Sequence, residues 1–151
     1  GQDLLAVMNG LGEGVFRLPT EAEWEYACRA GTTTLFSFPL TAEDLYAHTS
    51  CVYTSPYATQ PVGTFAPNAW GLYDMHGNVW ELTADFYAPR PADNPPVPQT
   101  DPAGPEDGDS HVIRGGAFDS PADICSCGER AHITPAFRTR LTGFRVVALT
   151  E

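Results

Sequence analysis

Glycine and proline constrain the fold of this chain more than any other feature of its sequence. The 151 residues include 14 Gly and 14 Pro. Glycine adopts backbone conformations that other residues avoid, and proline lacks a backbone donor, so both interrupt helices and strands. Their frequency predicts a loop-rich fold with short regular elements. The hydrophobic content of 42% is that of a globular protein, and the length suits one domain over residues 1–151.

The acidic charge balance excludes several function classes. The chain carries 19 Asp and Glu against 8 Lys and Arg, a net charge of −11, and all the cationic residues are Arg. Nucleic-acid phosphates and anionic lipid surfaces both require a basic patch, so we expect binding to neither. No apolar run is long enough to span a membrane. Four cysteines are too few for a disulfide scaffold and leave the compartment open, with a periplasmic or extracellular location favoured.

The clearest predicted element is a helix that begins after Thr20. Thr20 is a good N-cap, and Glu23 three residues later completes a capping box. Trp24 and Cys28 fall on one face at helical spacing, which predicts the buried side. Gly31 stands where a helix C-terminal glycine is expected.

Other elements are predicted to be short. We expect little regular structure over residues 32–60. Strands are predicted at 15–18, 61–65, 111–114 and 144–149, and the last of these is predicted to be buried. Residues 89–110 hold seven Pro and five acidic residues, which is typical of a surface loop or linker.

Four segments carry a specific resemblance to a known family. They are RLPTEAEWEYACRAGTTT (17–34), PVGTFAPNAWGLYDMHGNVWELTADFY (61–87), VIRGGAFDS (112–120) and GFRVV (143–147). In this order they resemble the formylglycine-generating enzyme or sulfatase-modifying-factor family. The resemblance implies an α+β fold of the variant C-type-lectin type, with little regular secondary structure and long loops.

The chain is short for that family. Members carry an upstream stretch with opening strands and a first helix, and residues 2–9 resemble the end of that helix. We therefore expect the chain to be the C-terminal portion of the family domain. Such a cut leaves strand edges and apolar surface in need of cover, which predicts a protein partner or a larger assembly.

The resemblance also bears on copper. Family oxidases bind Cu(I) through two cysteines after an Arg-Gly-Gly motif, and in this sequence those positions fall on Ser120 and Cys125. Counted from the other side, Cys127 matches a family cysteine without a catalytic role. We therefore expect no copper and favour a non-catalytic accessory, structural or ligand-binding subunit. The alternative is an oxidase that converts a substrate cysteine to formylglycine with Cys125, Cys127 and an atypical copper site.

The Cys-x-Cys pair has other interpretations. Cys125 and Cys127 could hold one soft metal, or bind zinc together with His132. One of them could instead pair with Cys51 as a disulfide, or both could be buried hydrophobes. The position matching the disulfide partner of Cys28 in family oxidases holds Val, so Cys28 is expected to be a free core thiol. His76 is expected to be a hydrogen-bonded structural residue.

A turn at residues 77–81 matches a calcium loop of the family. Asn78 and Glu81 would supply side-chain oxygens and Val79 a carbonyl, which are ligands that Ca²⁺ prefers. Among possible cofactors we favour calcium over copper. The alternative is that Asn78 makes a turn and Glu81 accepts a buried hydrogen bond from an Arg.

The expected binding face is a groove lined by residues 114–140. Its candidate contact residues are Arg114, Arg130, Trp80 and Phe118. An Arg clamp for a substrate carboxylate is one reading of Arg114. The other is a buried brace in which Arg114 and Arg145 pair with acidic residues that lie between positions 74 and 85.

Overall fold

The computed structural model describes residues 4–11, 14–89 and 100–149. These residues form short helices and strands joined by long irregular segments. In chain order the elements are α1 (Leu4–Gly10), β1 (Val15–Arg17), α2 (Glu21–Arg29), α3 (Ala42–His48), β2 (Trp80–Phe86), β3 (His111–Arg114), a 3₁₀ turn (Ala122–Cys125), β4 (Arg130–Ile133), β5 (Thr142–Phe144) and β6 (Val147–Leu149). The mixed α+β class with little regular structure is confirmed.

Two small sheets organise the described residues. The larger has the strand order β4-β3-β2-β5, in which β2 pairs antiparallel with β3 and parallel with β5. The smaller pairs β1 with β6 antiparallel, with Phe16 opposite Ala148. The smaller sheet therefore joins residues 15–17 to residues 147–149, and β2 is an inner strand of the larger sheet.

Helix α2 begins and ends as its sequence predicts. Thr20 Oγ1 accepts a hydrogen bond from the Glu23 amide at 3.2 Å, and the Glu23 carboxylate accepts one from the Thr20 amide at 2.8 Å. The helix ends at Arg29, its C-cap Ala30 is left-handed at φ 45°, and Gly31 follows at φ 92°. Glycine suits that position because it has no Cβ to oppose a positive φ.

The core is built where α2 packs against the segments on either side of β2 and β3. Its buried members are Trp24, Cys28, Met75 and Cys127. Trp24 and Cys28 are the predicted buried face of α2, so that prediction is confirmed. Met75 and Cys127 come from irregular segments and complete the core.

Several predicted elements are confirmed and others are wrong. The strands at 15–18 and 111–114 are present as β1 and β3. Residues 61–65 form turns and no strand. The strand predicted at 144–149 is divided between β5 and β6, which belong to different sheets, and it is half exposed instead of buried. Residues 90–99 of the predicted loop lie outside the described residues, and 100–110 are irregular.

Helix α3 lies in a stretch for which we expected little regular structure. Thr41 Oγ1 accepts a hydrogen bond from the Asp44 amide at 3.1 Å, so the start of α3 is also capped. The Thr41 cap with acidic residues in the first turn was a signal in the sequence. Among the described residues, no helix has the length and apolar character required to cross a membrane.

Candidate functional site

The turn at Gly77 and Asn78, just before β2, is tightly constrained by the backbone around it. Gly77 has φ 94°, and a Cβ at this position would lie 1.9 Å from the Ser50 carbonyl oxygen. Asn78 is left-handed at φ 66°, and its side-chain amide exchanges hydrogen bonds with the Gln60 backbone at 3.0 and 3.2 Å. Close backbone approach therefore fixes the turn, and Asn78 ties it to the loop at residue 60.

Glu81 follows the turn on β2 and is buried. Its Oε2 accepts from Trp24 Nε1 at 2.5 Å and from Arg145 Nε at 2.5 Å, and its Oε1 accepts from an Arg145 terminal nitrogen at 2.6 Å. The carboxylate is therefore fully engaged by an indole and a guanidinium. Val79, two residues before it, is half-buried, and a Cβ placed on Gly143 would lie 3.0 Å from a methyl group of Val79.

These contacts bear on the calcium prediction. A calcium ion at residues 78–81 would need oxygens that are free to turn toward it. The oxygens of Asn78 and Glu81 are already bound to protein donors. The residues present therefore do not fit a calcium site in this arrangement, and they match the alternative of a turn and a buried carboxylate–Arg pair.

An open cleft in the described surface lies beside this turn. Its volume is about 610 Å³. Its lining combines glycine backbone with two half-exposed aromatic rings, and includes Gly63, Tyr73, Asp74, Gly143, Phe144 and Arg145. Asp74 Oδ2 accepts from the Gly63 amide at 2.8 Å. The cleft is formed by the 62–63 turn, the segment before β2, and β5.

The cleft does not coincide with the groove predicted at residues 114–140. Arg114 has no exposed side-chain surface, and Phe118 is buried under the guanidinium of Arg140, whose Cζ lies 5.4 Å from the ring centroid. Neither can meet a ligand without rearrangement. Trp80 is half-buried on β2. Arg130 pairs with Glu21 at 2.7 Å, and it does not project into the cleft lining.

Arg114 is a buried brace, but with different partners from those expected. Its Nη2 lies 2.6 Å from Glu25 Oε2, and Nη1 lies 3.6 Å from Glu21 Oε1. Both carboxylates belong to α2 and not to residues 74–85. Nη2 also donates to the Cys127 carbonyl at 2.6 Å. The brace expected for Arg145 is correct, since its partner is Glu81.

The Cys-x-Cys pair is divided by the fold. Cys125 Sγ lies 3.9 Å from the Ala117 carbonyl oxygen, whereas Cys127 Sγ lies 2.6 Å from Cys28 Sγ. Residues so close in sequence separate because the 3₁₀ turn ends between them. His132 is also remote: it stacks on Tyr87 with 4.3 Å between the ring centroids. The described residues therefore do not bring Cys125, Cys127 and His132 together, as the alternative of a shared metal site would require.

The environment of Cys125 opposes metal chemistry. Burial raises the pKa of the Cys125 thiol well above its ordinary value, and the neighbouring Cys51 raises it further. Ser120, at the position of the first copper cysteine, uses its hydroxyl to accept from the Ala117 amide at 3.1 Å. A serine hydroxyl that is already engaged does not fit a Cu(I) ligand pair, since that ion requires two soft thiolates.

A different cluster was missed by the sequence analysis. Cys28, His76 and Cys127 are all buried, and one potential ligand atom from each lies within 4.8 Å of the others. The buried face of α2 indicated that Cys28 points inward, but nothing local indicated which residues it meets. His76 was expected to have a hydrogen-bonded structural role, and its Nδ1 does contact the Cys125 carbonyl at 2.9 Å.

The fold and these sites define a class of protein. The sequence model of the family described as Sulfatase-modifying factor enzyme 1-like domain matches residues 3–149. The chain belongs to this family.

Its relatives include enzymes and proteins with other names. The formylglycine-generating enzyme of Thermomonospora curvata is 36% identical, over 87% of this chain and 49% of that protein. The enzyme of the same name from Mus musculus is 34% identical, over 87% of this chain and 39% of its own length. A protein named serine/threonine-protein kinase pkn1 from Chlamydia pneumoniae is 37% identical, over 85% of this chain and 20% of that protein. The chain thus spans half or less of the length of these relatives.

Solved structures show the same fold. Treponema denticola variable protein 1 superposes with a TM-score of 0.79 at 40% identity, over 88% of this chain and 47% of that one. PvdO from Pseudomonas aeruginosa superposes with a TM-score of 0.77 at 32% identity, over 94% of this chain and 56% of that one. The same fold therefore occurs in solved proteins that have different names.

Proposed function

We propose that this domain is a non-catalytic binding module of its family, an accessory or structural subunit that holds a polypeptide segment in the cleft at β5. The proposal rests on the observation that the cysteine sulfur atoms are buried, away from the open cleft. Cys125, the position that matches a copper ligand of the family oxidases, is buried. The cleft is lined by two aromatic rings, backbone groups and the charged side chains of Asp74, Glu81 and Arg145, and its described lining contains no cysteine.

The cleft offers what an extended polypeptide requires. Strand β5 is at the edge of the larger sheet, where the described residues place β2 on one side and no strand on the other. A free strand edge presents backbone donors and acceptors to an added strand. Tyr73 and Phe144, each close to half exposed, offer apolar surface for its side chains.

Exposed apolar surface elsewhere supports a partner of protein chemistry. Large hydrophobic side chains are exposed on α1, β1 and β6, including Leu4, Val7, Val15 and Leu149. Contiguous apolar surface of this kind is rare on isolated soluble domains and marks contact with protein. A partner segment or the remainder of a longer polypeptide would both satisfy this requirement.

Site-specific photo-crosslinking tests the binding role. A photoreactive phenylalanine analogue at position 144 or 73 should form adducts with a polypeptide in cells that make the protein. The matched control is position 53, an exposed Tyr outside the cleft lining. Adducts from both cleft positions and none from position 53 would support the proposal. Equal crosslinking from all three positions, or none from the cleft, would overturn it.

The names of the relatives favour a second candidate, a copper-dependent oxidase that acts on a substrate cysteine. The two functions are separated by oxygen uptake. We expect the Cu(I)-treated protein to consume no oxygen above the copper blank when given a cysteine-containing peptide. Formylglycine in the peptide, lost in Cys125→Ser and retained in Cys51→Ser, would establish the oxidase and contradict the binding module.

A further inference from the structure

We propose that Cys51 and Cys125 form a disulfide bond when the protein folds under oxidising conditions. The sequence left open whether Cys51 pairs with Cys125 or with Cys127. In the structure, Cys127 Sγ lies 2.6 Å from Cys28 Sγ, which is too close for two unbonded sulfur atoms, so Cys28 and Cys127 belong to each other. Since the chain has four cysteines, Cys125 is the partner that remains for Cys51.

One short turn contacts the segments of both cysteines. The amide of Val52, the residue after Cys51, donates to the Ser120 carbonyl at 3.0 Å. The Ser120 amide in turn donates to the Ala117 carbonyl at 2.9 Å. Cys125 Sγ lies 3.9 Å from that same carbonyl oxygen. The turn from Ala117 to Ser120 therefore connects the backbone beside Cys51 to the side chain of Cys125.

His76 makes a second connection between the same two segments. Its carbonyl oxygen accepts from the amide of Ser50, the residue before Cys51, at 3.0 Å. Its ring nitrogen Nδ1 lies 2.9 Å from the Cys125 carbonyl oxygen. A disulfide requires two Cα atoms that the fold holds near each other. Two independent sets of hydrogen bonds, one through the turn and one through the histidine, supply that constraint.

The surroundings of the two sulfur atoms favour a bond over two thiols. Cys51 and Cys125 have no exposed surface. Burial raises the pKa of the Cys125 thiol well above its ordinary value, and the charge of Cys51 raises it further. Such an influence requires the two groups to be close and shielded from water, so both sulfur atoms share one environment. A disulfide replaces two buried thiols with one apolar group that has no proton to lose.

The bond forms by thiol–disulfide exchange with a low-molecular-weight disulfide such as oxidised glutathione. One cysteine thiolate attacks the oxidant, which gives a mixed disulfide and releases one thiol; the other cysteine then attacks the mixed disulfide and releases a second thiol. Two electrons pass to the oxidant, and the two protons that the cysteines lose are carried by the released thiols. Because both side chains are buried in the folded protein, we expect the exchange to occur during folding, before the core closes.

The bond would have a structural role. It would join segments about 70 residues apart, and a bridge across so long a loop restricts the unfolded chain strongly. Disulfides persist in oxidising compartments, so the bond is expected where such conditions hold. The described lining of the cleft contains no cysteine, and the inference therefore does not depend on the proposed binding function.

The test refolds the reduced protein in a buffer of reduced and oxidised glutathione, blocks the remaining thiols with an alkylating reagent, and maps the blocked cysteines by mass spectrometry. We expect none in the wild type. Cys51→Ala should leave one blocked thiol, at position 125, and Cys125→Ala should leave one, at position 51. Ser126→Ala, at a buried neighbouring position without sulfur, is the control and should leave none. Where a cysteine variant fails to fold, an unreduced digest of the wild type replaces it, and backbone fragmentation between positions 125 and 127 assigns the linked sulfur.

The melting temperature gives a second readout. Reduction should lower it more in the wild type than in the double variant Cys51→Ala/Cys125→Ala, by at least about 5 °C, because the double variant has one bridge fewer to lose. Equal falls would count against the bond. Three mapping results would each overturn it: Cys51 and Cys125 both alkylated in the refolded wild type, a glutathione adduct on either one without a link between them, or a link from Cys51 to another cysteine.

Discussion

Arg145 and Glu81 form a two-pronged ion pair, with Nε 2.5 Å from Oε2 and a terminal nitrogen 2.6 Å from Oε1. Burial lowers the pKa of Arg145, but the hydrogen bonds and charge of Glu81 more than offset this, and the net pKa is raised. The pair joins β2 to the segment between β5 and β6. It therefore fixes the wall of the cleft that Phe144 and Arg145 supply.

Glu81→Gln should destabilise the protein. The substitution leaves the mostly buried guanidinium of Arg145 without its counter-charge, and breaking one partner of a buried pair costs about 3 kcal/mol. The free energy of unfolding from urea denaturation measures the change. Glu43→Gln, at an exposed position in the first turn of α3, is the control and should change it by less than about 0.5 kcal/mol. Equal effects of the two changes would contradict the assigned role of the pair.

Arg114→Met should lower the stability of the protein more than Arg29→Ala does. Arg29 is the comparison because it lies on α2 and pairs with the same residue, Glu25. Arg114 is fully buried, pairs with Glu25, and donates to the carbonyls of Cys127, Gly128 and Glu129. Loss of these contacts leaves buried acceptors unpaired, at a cost of about 3 kcal/mol or more. The pair of Arg29 with Glu25 is partly exposed and is worth about 1 kcal/mol or less. Thermal or urea unfolding of the two variants side by side gives the comparison, and a smaller loss for Arg114→Met would refute it.

Gly77→Ala should disrupt the turn beside the cleft. Its φ of 94° disfavours any side chain, and the new Cβ would lie 1.9 Å from the Ser50 carbonyl oxygen. Gly71→Ala is the matched control, since Gly71 has φ 78° with open space around the Cβ position. The control should lose about 1 kcal/mol from backbone strain alone. We expect Gly77→Ala to lose several times as much in an unfolding titration, and similar losses would show that contact with Ser50 is not the cause.

The contribution of Glu23 to stability should depend on pH. The hydrogen bonds from Arg17 are the main cause that lowers the pKa of Glu23 to about 2, below its ordinary value of 4.5. A carboxyl with a lowered folded-state pKa stabilises the fold above its unfolded pKa, and the effect fades as pH falls through the folded value. The difference in unfolding free energy between wild type and Glu23→Gln should therefore be constant above about pH 5 and shrink toward pH 2. A difference that stays constant down to pH 2 would contradict the lowered pKa.

Some of the predictions made from the sequence are correct and others are wrong. Helix α2 was predicted from Thr20 to Gly31, because its cap, its buried face and its end are all local signals. The strand predicted at 144–149 was wrong for the opposite reason: β5 and β6 pair with strands far away in the chain, and nothing in the run of apolar residues marks the division between the two sheets. The partners of Arg114 were also misjudged, since acidic residues at positions 74–85 were expected and the structure supplies Glu21 and Glu25 of α2.

By itself, the sequence determined the family, the mixed α+β class and the capped helix, because family motifs and capping boxes lie within a few consecutive residues. Only the tertiary structure decided which thiols meet. Cys125 and Cys127 are two positions apart yet face different neighbours, whereas Cys28 meets His76 across 48 residues and Cys127 across 99. Such contacts depend on how loops close around a core, and that closure is set by packing between distant segments, which no short stretch of sequence contains.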